Sequence, residues 1–263
     1  MEPKPGATIV VWFSCGAASA VAAYETLRRY SDTCTVRIVN NPVIEEDHDN
    51  VRFMADVLAW WRRYWPDLEI ETAVNPKYPN ASAEEVWIKE RGMAFIGGAT
   101  CTEKVKKFAR YAYEKRVNVD WHVLGSTADE QRRHDRFVLG EHSNIIPVLI
   151  EMGYTKQDCA SFLEKTVGIA LPRVYGMGMP NANCIGCVKA RSITYWQLIR
   201  EKWPEIFERR AKLSRELGCR LVGYKGKDIF LDELPLDAKG RPMKHLSVDC
   251  GIFCEEKPNG LDT

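Results

Sequence analysis

Thr8-Ile-Val-Val-Trp-Phe-Ser-Cys-Gly-Ala-Ala-Ser19 is the stretch whose reading decides the fold. Thr8 to Phe13 is a continuous apolar run between turn formers, the pattern of a strand buried on both faces of a parallel sheet. Ser14 to Ser19 are small, and Val21, Tyr24 and Leu27 then recur at helical spacing as far as Tyr30. A small-residue loop between a buried strand and a helix presents backbone N–H groups at the positive end of the helix dipole. That geometry favours a phosphate. Ser14 and Ser19 add hydroxyl groups. The loop is neither a Walker loop, having no Lys after a glycine, nor G-x-G-x-x-G, having one Gly. A close-packed turn is the competing reading of the loop taken alone.

Working outward, Thr35 to Val39 reads as a second strand, followed by the polar stretch Asn40 to Asn50. Helical spacing resumes from Val51 to Trp65, where Pro66 stops it, and Leu68 to Thr72 alternates as a third strand. A short helix is expected near Ala83 to Arg91, and a Lys/Arg-rich amphipathic helix over Thr102 to Arg116. Trp121 to Leu124 reads as a fourth strand, followed by the polar segment Ser126 to Phe137. Ile145 to Ile150 is a strand-like run, and Thr155 to Val167 a helix. The alternation predicts an α/β fold with a doubly wound, mostly parallel sheet. Composition shifts near Leu171. Residues 1–170 are therefore expected to form the α/β domain. Residues 171–263 are expected to form a helical, loop-rich, cysteine-containing appendage without its own core, with helices over Ser192 to Lys202 and Pro204 to Leu217.

The formal charge of +1 gives no global electrostatic reason for tight nucleic-acid binding. No apolar run approaches the roughly 20 residues of a membrane helix. Met1-Glu-Pro-Lys-Pro-Gly6 lacks the apolar core of a signal peptide, so a cytoplasmic protein is expected. In that setting nine cysteines point to metal binding or chemistry rather than disulfides. Cys34, Cys159 and Cys219 stand singly and read as packed, inert thiols. Cys184-x-x-Cys187 and Cys250-x-x-x-Cys254 form two close pairs, a ligand count suited to zinc or an iron–sulfur cluster. Glu130, Arg132, Arg133 and Arg136 follow the fourth strand. Arginine's planar fork suits phosphate or sulfate, and a solvated helix face is the plain alternative.

Phe13-Ser-Cys-Gly-Ala-Ala-Ser19 resembles the S-G-G-x-D-S loop of the PP-loop superfamily, which includes the N-type ATP pyrophosphatases and the PAPS reductases. Asn41 to Asn50 with Arg52-Phe53 resembles the segment after strand two in PAPS-reductase-like proteins, and Cys101-Thr-Glu-Lys-Val-Lys106 their cysteine segment. Gly125 to Arg133 with Arg136-Phe137 is similar to their Gly…Glu-x-x-Arg…Arg-Phe stretch. Cys184 to Cys187 with Tyr195-Trp196, and Leu231 to Cys254, look like the C-terminal part of phage and prophage members. The matches run in order along nearly the whole chain.

The resemblance implies an adenine nucleotide alpha hydrolase-like fold. It implies a site for ATP or a sulfated adenine nucleotide (APS or PAPS) on Ser14, Cys15, Gly16, Ala17, Ala18 and Ser19, with Arg133 and Arg136 on its anionic tail. It further implies a 4Fe-4S cluster, with zinc as the alternative, on ligands drawn from Cys101, Cys184, Cys187, Cys250 and Cys254. A three-cysteine cluster also belongs among the arrangements. Glu130, Asp49 and Cys254 are the catalytic candidates, Cys254 as a sulfur acceptor. The loop departs from the family at two places: Cys15 takes a Gly position and Ala18 the Asp position. Glu45, Glu46, Asp47 or Asp49 is then the candidate replacement carboxylate for Mg²⁺.

Two chemistries fit the resemblance: sulfonucleotide reduction, and ATP-dependent thiolation, with a nucleic acid as one candidate substrate. An electron or sulfur donor protein is the implied partner, and the host cytoplasm the location if the gene is phage-borne. A homo-oligomer is left open. A catalytically inactive nucleotide-binding protein with structural zinc is the contrasting class.

Overall fold

The run from Thr8 to Phe13 becomes β1, buried from its second residue to its last. The computed structural model describes residues 2–95, 98–140 and 144–243. Cys250 and Cys254 lie outside them, so the second cysteine pair has no structural account.

Four further strands complete the sheet: β2 (Thr35–Asn40), β3 (Ile70–Thr72), β4 (Trp121–Val123) and β5 (Ile145–Ile146). Their spatial order is β3-β2-β1-β4-β5, and every neighbouring pair is parallel. Parallel neighbours need long crossovers, and these are helical: α1 (Ala17–Tyr30) after β1, α2 (Asp49–Trp61) after β2, and a helix over Gln131–Gly140 after β4. The protein is thus α/β with an all-parallel five-stranded sheet, compatible with the doubly wound expectation. Phe13 packs edge-on against Trp61 with ring centroids 5.3 Å apart, which ties the middle strand to α2. Among the described residues no helix is long and apolar enough to cross a membrane.

The strand expected over Ile145 to Ile150 stops at Ile146. Pro147 has no N–H to continue a ladder, and Val148–Glu151 turns helical instead. The polar segment after β4 is ordered as a 3-10 turn (Ala128–Glu130) running into a helix (Gln131–Gly140). The amphipathic helix expected from Thr102 begins as a π-helical turn, Thr102–Lys107, and becomes α-helical over Phe108–Glu114.

The division of the chain differs from the linear split expected near residue 170. One unit comprises Met1–Pro42, His48–Val74 and Ala109–Arg173; the other comprises Val43–Asp47, Asn75–Phe108 and Val174–Thr263. The C-terminal region is not an appendage by itself, because it draws Asn75–Phe108 from the middle of the chain. Its helices include α3 (Ala83–Lys89), α4 (Ile193–Lys202) and α5 (Pro204–Glu216). The second unit has buried apolar groups of its own. Trp87, Tyr195 and Trp196 are each under 3% exposed, and Trp196 meets Phe207 edge-on. Buried apolar groups of this unit come from both of its longer segments, Trp87 and Met93 as well as Tyr195 and Trp196.

Candidate functional sites

In the first unit, β1 is flanked by β2 on one side and β4 on the other. The chain extends the sheet from β1 through β2 to β3, then crosses to β4 and continues outward to β5. Such a reversal opens a crevice beyond the carboxyl ends of the two strands at the switch, where ligands of open α/β sheets bind. The loop after β1 is Ser14 to Gly16, and the loop after β4 begins at Leu124. Both segments singled out from the sequence therefore meet at one place.

The loop is tied to itself. Ser19 Oγ accepts from the backbone N–H of Ser14 (3.2 Å) and of Gly16 (3.3 Å) and donates to Gly16 O (2.9 Å). Ser14 is exposed and its hydroxyl lies 3.2 Å from that of Ser19, which is buried. Gly16 caps α1, so the N–H groups of Ala17, Ala18 and Ser19 occupy the first turn, where no intrahelical acceptor exists.

Cys15 is held at φ +56°, a left-handed conformation that costs a residue with a Cβ about 1–2 kcal/mol. This is the position where the resembled loop carries glycine. Cys15 is buried, and its sulfur accepts from Asn40 Nδ2 at 3.5 Å. The same amide donates to Phe13 O at 2.8 Å. Asn40, the last residue of β2, thus fastens the loop from the neighbouring strand. Sequence reading missed it, because an Asn ending a strand signals no more than a turn.

Gly125 closes the other side. A Cβ built there would stand 2.7 Å from Ser19 N, 2.9 Å from Ser19 Cα and 3.0 Å from Ala18 C. All three are backbone atoms and cannot swing aside. Only glycine lets β4's exit run this close to the start of α1.

Of the arginine segment, Arg133 is partly buried and donates to Glu130 Oε1 at 3.2 Å, which Lys156 also approaches at 3.1 Å. Glu130 Oε2 accepts from the Thr127 hydroxyl, also at 3.2 Å. Glu130 is therefore built into the turn after β4, between two cations. Arg132 and Arg136 are exposed. His134, between them, is buried, and burial lowers its pKa from the ordinary value.

Asp49 starts α2 and forms a bidentate pair with Arg52, at 2.7 and 2.8 Å, while accepting from the Arg173 N–H at 2.8 Å. The Arg52 hydrogen bonds lower its pKa to about 2. Asp49 is thus a charged, well-partnered carboxylate anchoring residues 170–173, a structural commitment beyond the catalytic role expected for it.

In the second unit, Cys101, Cys184 and Cys187 border one recess, together with Trp87, Lys106 and Lys189. Cys101 precedes the π-helical turn and lines the recess together with Thr102, Val105 and Lys106 of that turn. Cys184 and Cys187 are buried at the two ends of a turn through Gly186, whose φ is +69°. Tyr195, fully buried in α4, holds the turn. Its hydroxyl accepts from the Cys187 N–H at 2.7 Å and reaches Cys184 O at 3.4 Å. Burial keeps the Tyr195 phenol well above its ordinary pKa, so it stays protonated.

Glu45, one of the candidate Mg²⁺ carboxylates, also belongs to this unit and is fully employed. It accepts from Ser82 Oγ (2.7 Å), Ala83 N (2.8 Å) and Glu84 N (3.0 Å), fixing the start of α3. Glu46 lies 3.6 Å from Lys106 Nζ, Asp47 is buried, and the neighbouring His48 is exposed.

Among the described residues no three Cys, His, Asp or Glu side chains are already gathered as a metal-ion set. What the three thiols supply is a soft donor set around one recess, suited to iron–sulfur or zinc. By donor chemistry, the three thiols on this one recess fit a sulfur-ligated group. The three expected inert thiols are Cys159, fully buried with its pKa pushed up to about 12 by desolvation, Cys34, also buried, and Cys219, whose sulfur accepts from Met93 N at 3.4 Å.

No protein-family model matches this chain, and no curated protein matches it.

Proposed function

We propose that this protein is a PAPS-reductase-like, sulfur-handling enzyme that binds an adenine nucleotide (ATP, APS or PAPS) in the crevice between β1 and β4. The observation that carries the reading is the meeting of Ser14–Ser19 with Gly125 at the reversal of strand order, where the exit of β4 runs against the backbone that opens α1. Backbone donors there, with the helix dipole, favour phosphate oxygens. Arg133 and Arg136 are the candidates for the nucleotide's anionic tail.

Cys101, Cys184 and Cys187 would hold a 4Fe-4S cluster, with zinc as the alternative and Cys250 and Cys254 as further ligands or as sulfur acceptor. When bound, such a cluster supplies electrons or a seat for transferred sulfur. Sulfonucleotide reduction and ATP-dependent thiolation, including that of a nucleic acid, are the two reactions proposed.

A second reading is favoured by the carboxylates. Ala18 stands where the resembled loop has Asp, and Asp49 and Glu45 each already accept three hydrogen bonds. A nucleotide-binding protein without turnover, carrying structural zinc, fits those facts. Calorimetric titration with each nucleotide tests the binding claim. Metal analysis of anaerobically purified protein separates iron with sulfide from zinc. Absence of nucleotide binding removes the first claim, and a colourless, zinc-loaded protein removes the cluster.

A further inference from the structure

Late in the second unit two short strands pair antiparallel: β6 (Val222–Tyr224) and β7 (Lys227–Ile229). Lys225 and Gly226 join them at φ +47° and +75°. Positive φ at both central residues is what a type I′ hairpin turn needs, and Asn, Asp or Gly supplies the first of them at least cost. This chain places a lysine there instead. Val222 is buried and roots the ribbon, while no residue from 223 to 228 is buried, so the tip stands clear of the core.

Cations gather around this ribbon. Arg191 holds it from the side: its carbonyl accepts from the Gly223 N–H at 3.3 Å, and its guanidinium donates to Asp228. Three residues on, the Thr194 hydroxyl donates to Arg241 O at 2.7 Å, which brings residues 239–241 alongside. Gly240 permits that approach, since a Cβ there would stand 2.7 Å from the Thr194 hydroxyl oxygen. Arg220, just before β6, lies over the Phe230 ring at 4.9 Å. The acids of the stretch are mostly engaged, Asp228 by Arg191, and Asp232 and Glu233 by Arg215. Arg220, Lys225, Lys227, Lys239 and Arg241 are exposed, and none of them enters an ion pair among the described residues. The chain as a whole carries only +1, so this excess of positive charge is local.

Uncompensated cations around a projecting ribbon fit a polyanion with a groove two strands wide. The major groove of B-form DNA admits a two-stranded β-ribbon, whereas that of an A-form RNA duplex is too deep and narrow for side chains to read. We propose that the hairpin of residues 222–229 docks in the major groove of duplex DNA, with Lys225 and Lys227 on its phosphates and Lys239 and Arg241 on the backbone beside it. The inference gives a nucleic acid a place on the second unit, and it needs neither the nucleotide crevice nor the cysteine recess.

The test uses the full chain and a fluorescein-labelled DNA duplex about two helical turns long, read by fluorescence anisotropy across a salt series. Log affinity should fall linearly with log salt, by about 0.9 for each phosphate neutralised. Lys225→Gln with Lys227→Gln should weaken binding and flatten that slope by about 2. Lys239→Gln with Arg241→Gln, outside the ribbon, serves if the first pair does not fold. Lys115→Gln with Lys165→Gln makes the same charge change on exposed lysines of the first unit and should leave the slope as it was. Equal flattening by the two lysine pairs, or no binding at low salt, overturns the inference. So does tighter binding of the RNA duplex or the single strand of the same sequence, or binding to phosphatidylserine vesicles in place of DNA. Nucleotide titration of the Lys225 and Lys227 variant should match the wild-type protein, so this inference and the crevice reading fail separately.

Discussion

The two candidate sites are built in opposite ways. The crevice of the first unit is made of backbone: the loop N–H groups, the first turn of α1 and a glycine that stays out of the way. It exists because of where β1 and β4 end, and its side chains mostly hold the loop in place. The recess of the second unit is made of side chains drawn from Ala83–Lys89, Cys101–Lys106 and Cys184–Lys189, joined by no sheet. A backbone site tolerates changes of side chain but not of volume. A thiol site tolerates changes of volume but not of atom type.

That contrast predicts separable failures. Gly125→Val should have the largest effect. Its side chain meets the Ser19 backbone, so nucleotide binding should be lost in calorimetry, with overpacking costing about 1–3 kcal/mol in denaturation. Metal content should be unchanged. Cys184→Ala should do the reverse, removing most bound metal while nucleotide affinity stays within error. A variant that damages both properties would break the comparison.

Asn40→Ala removes the amide that fastens Phe13 O and Cys15 Sγ. A loss of about 1–2 kcal/mol in stability is expected. Nucleotide affinity should fall without being abolished. At Cys15, Gly should be more stable than Ala by about 1 kcal/mol, because only glycine is relaxed at φ +56°. Equal stabilities would show that the strain is absent.

The smallest effect is on pH dependence. Asp49 has its pKa lowered from 3.8 to about 2, so its ion pair contributes fully above about pH 4 and is lost as pH falls toward 2. His134 has its pKa lowered by burial, so the unfolded chain binds more protons below about pH 6.5 and stability declines there too. Both act in the direction of acid lability. Asp49→Asn should flatten the lower limb of a stability–pH curve and leave the upper one.

The sheet was legible because β1 is hydrophobic on both faces and small residues follow it directly. Those are local patterns, and Thr8–Phe13 emerged with the expected bounds. The strand through Ile150 was misread because apolar runs do not distinguish strand from helix, and Pro147 decided it. At the sites, the small-residue loop and the Cys184–Cys187 pair were visible from spacing. That Cys101 faces the same recess was reachable only through the family resemblance. Asn40 carried no signal, since its role depends on which distant backbone folds beside it. Asp49 and Glu45 looked like spare carboxylates, and only their hydrogen bonds show them engaged.

The most direct test of the account is isothermal titration of the full chain with ATP, APS and PAPS, beside Gly125→Val under the same conditions. The account predicts one saturable site for at least one of the three nucleotides in the wild-type protein, and none in the variant. No binding of any of them to the wild-type chain, or equal binding by a folded Gly125→Val, would contradict it.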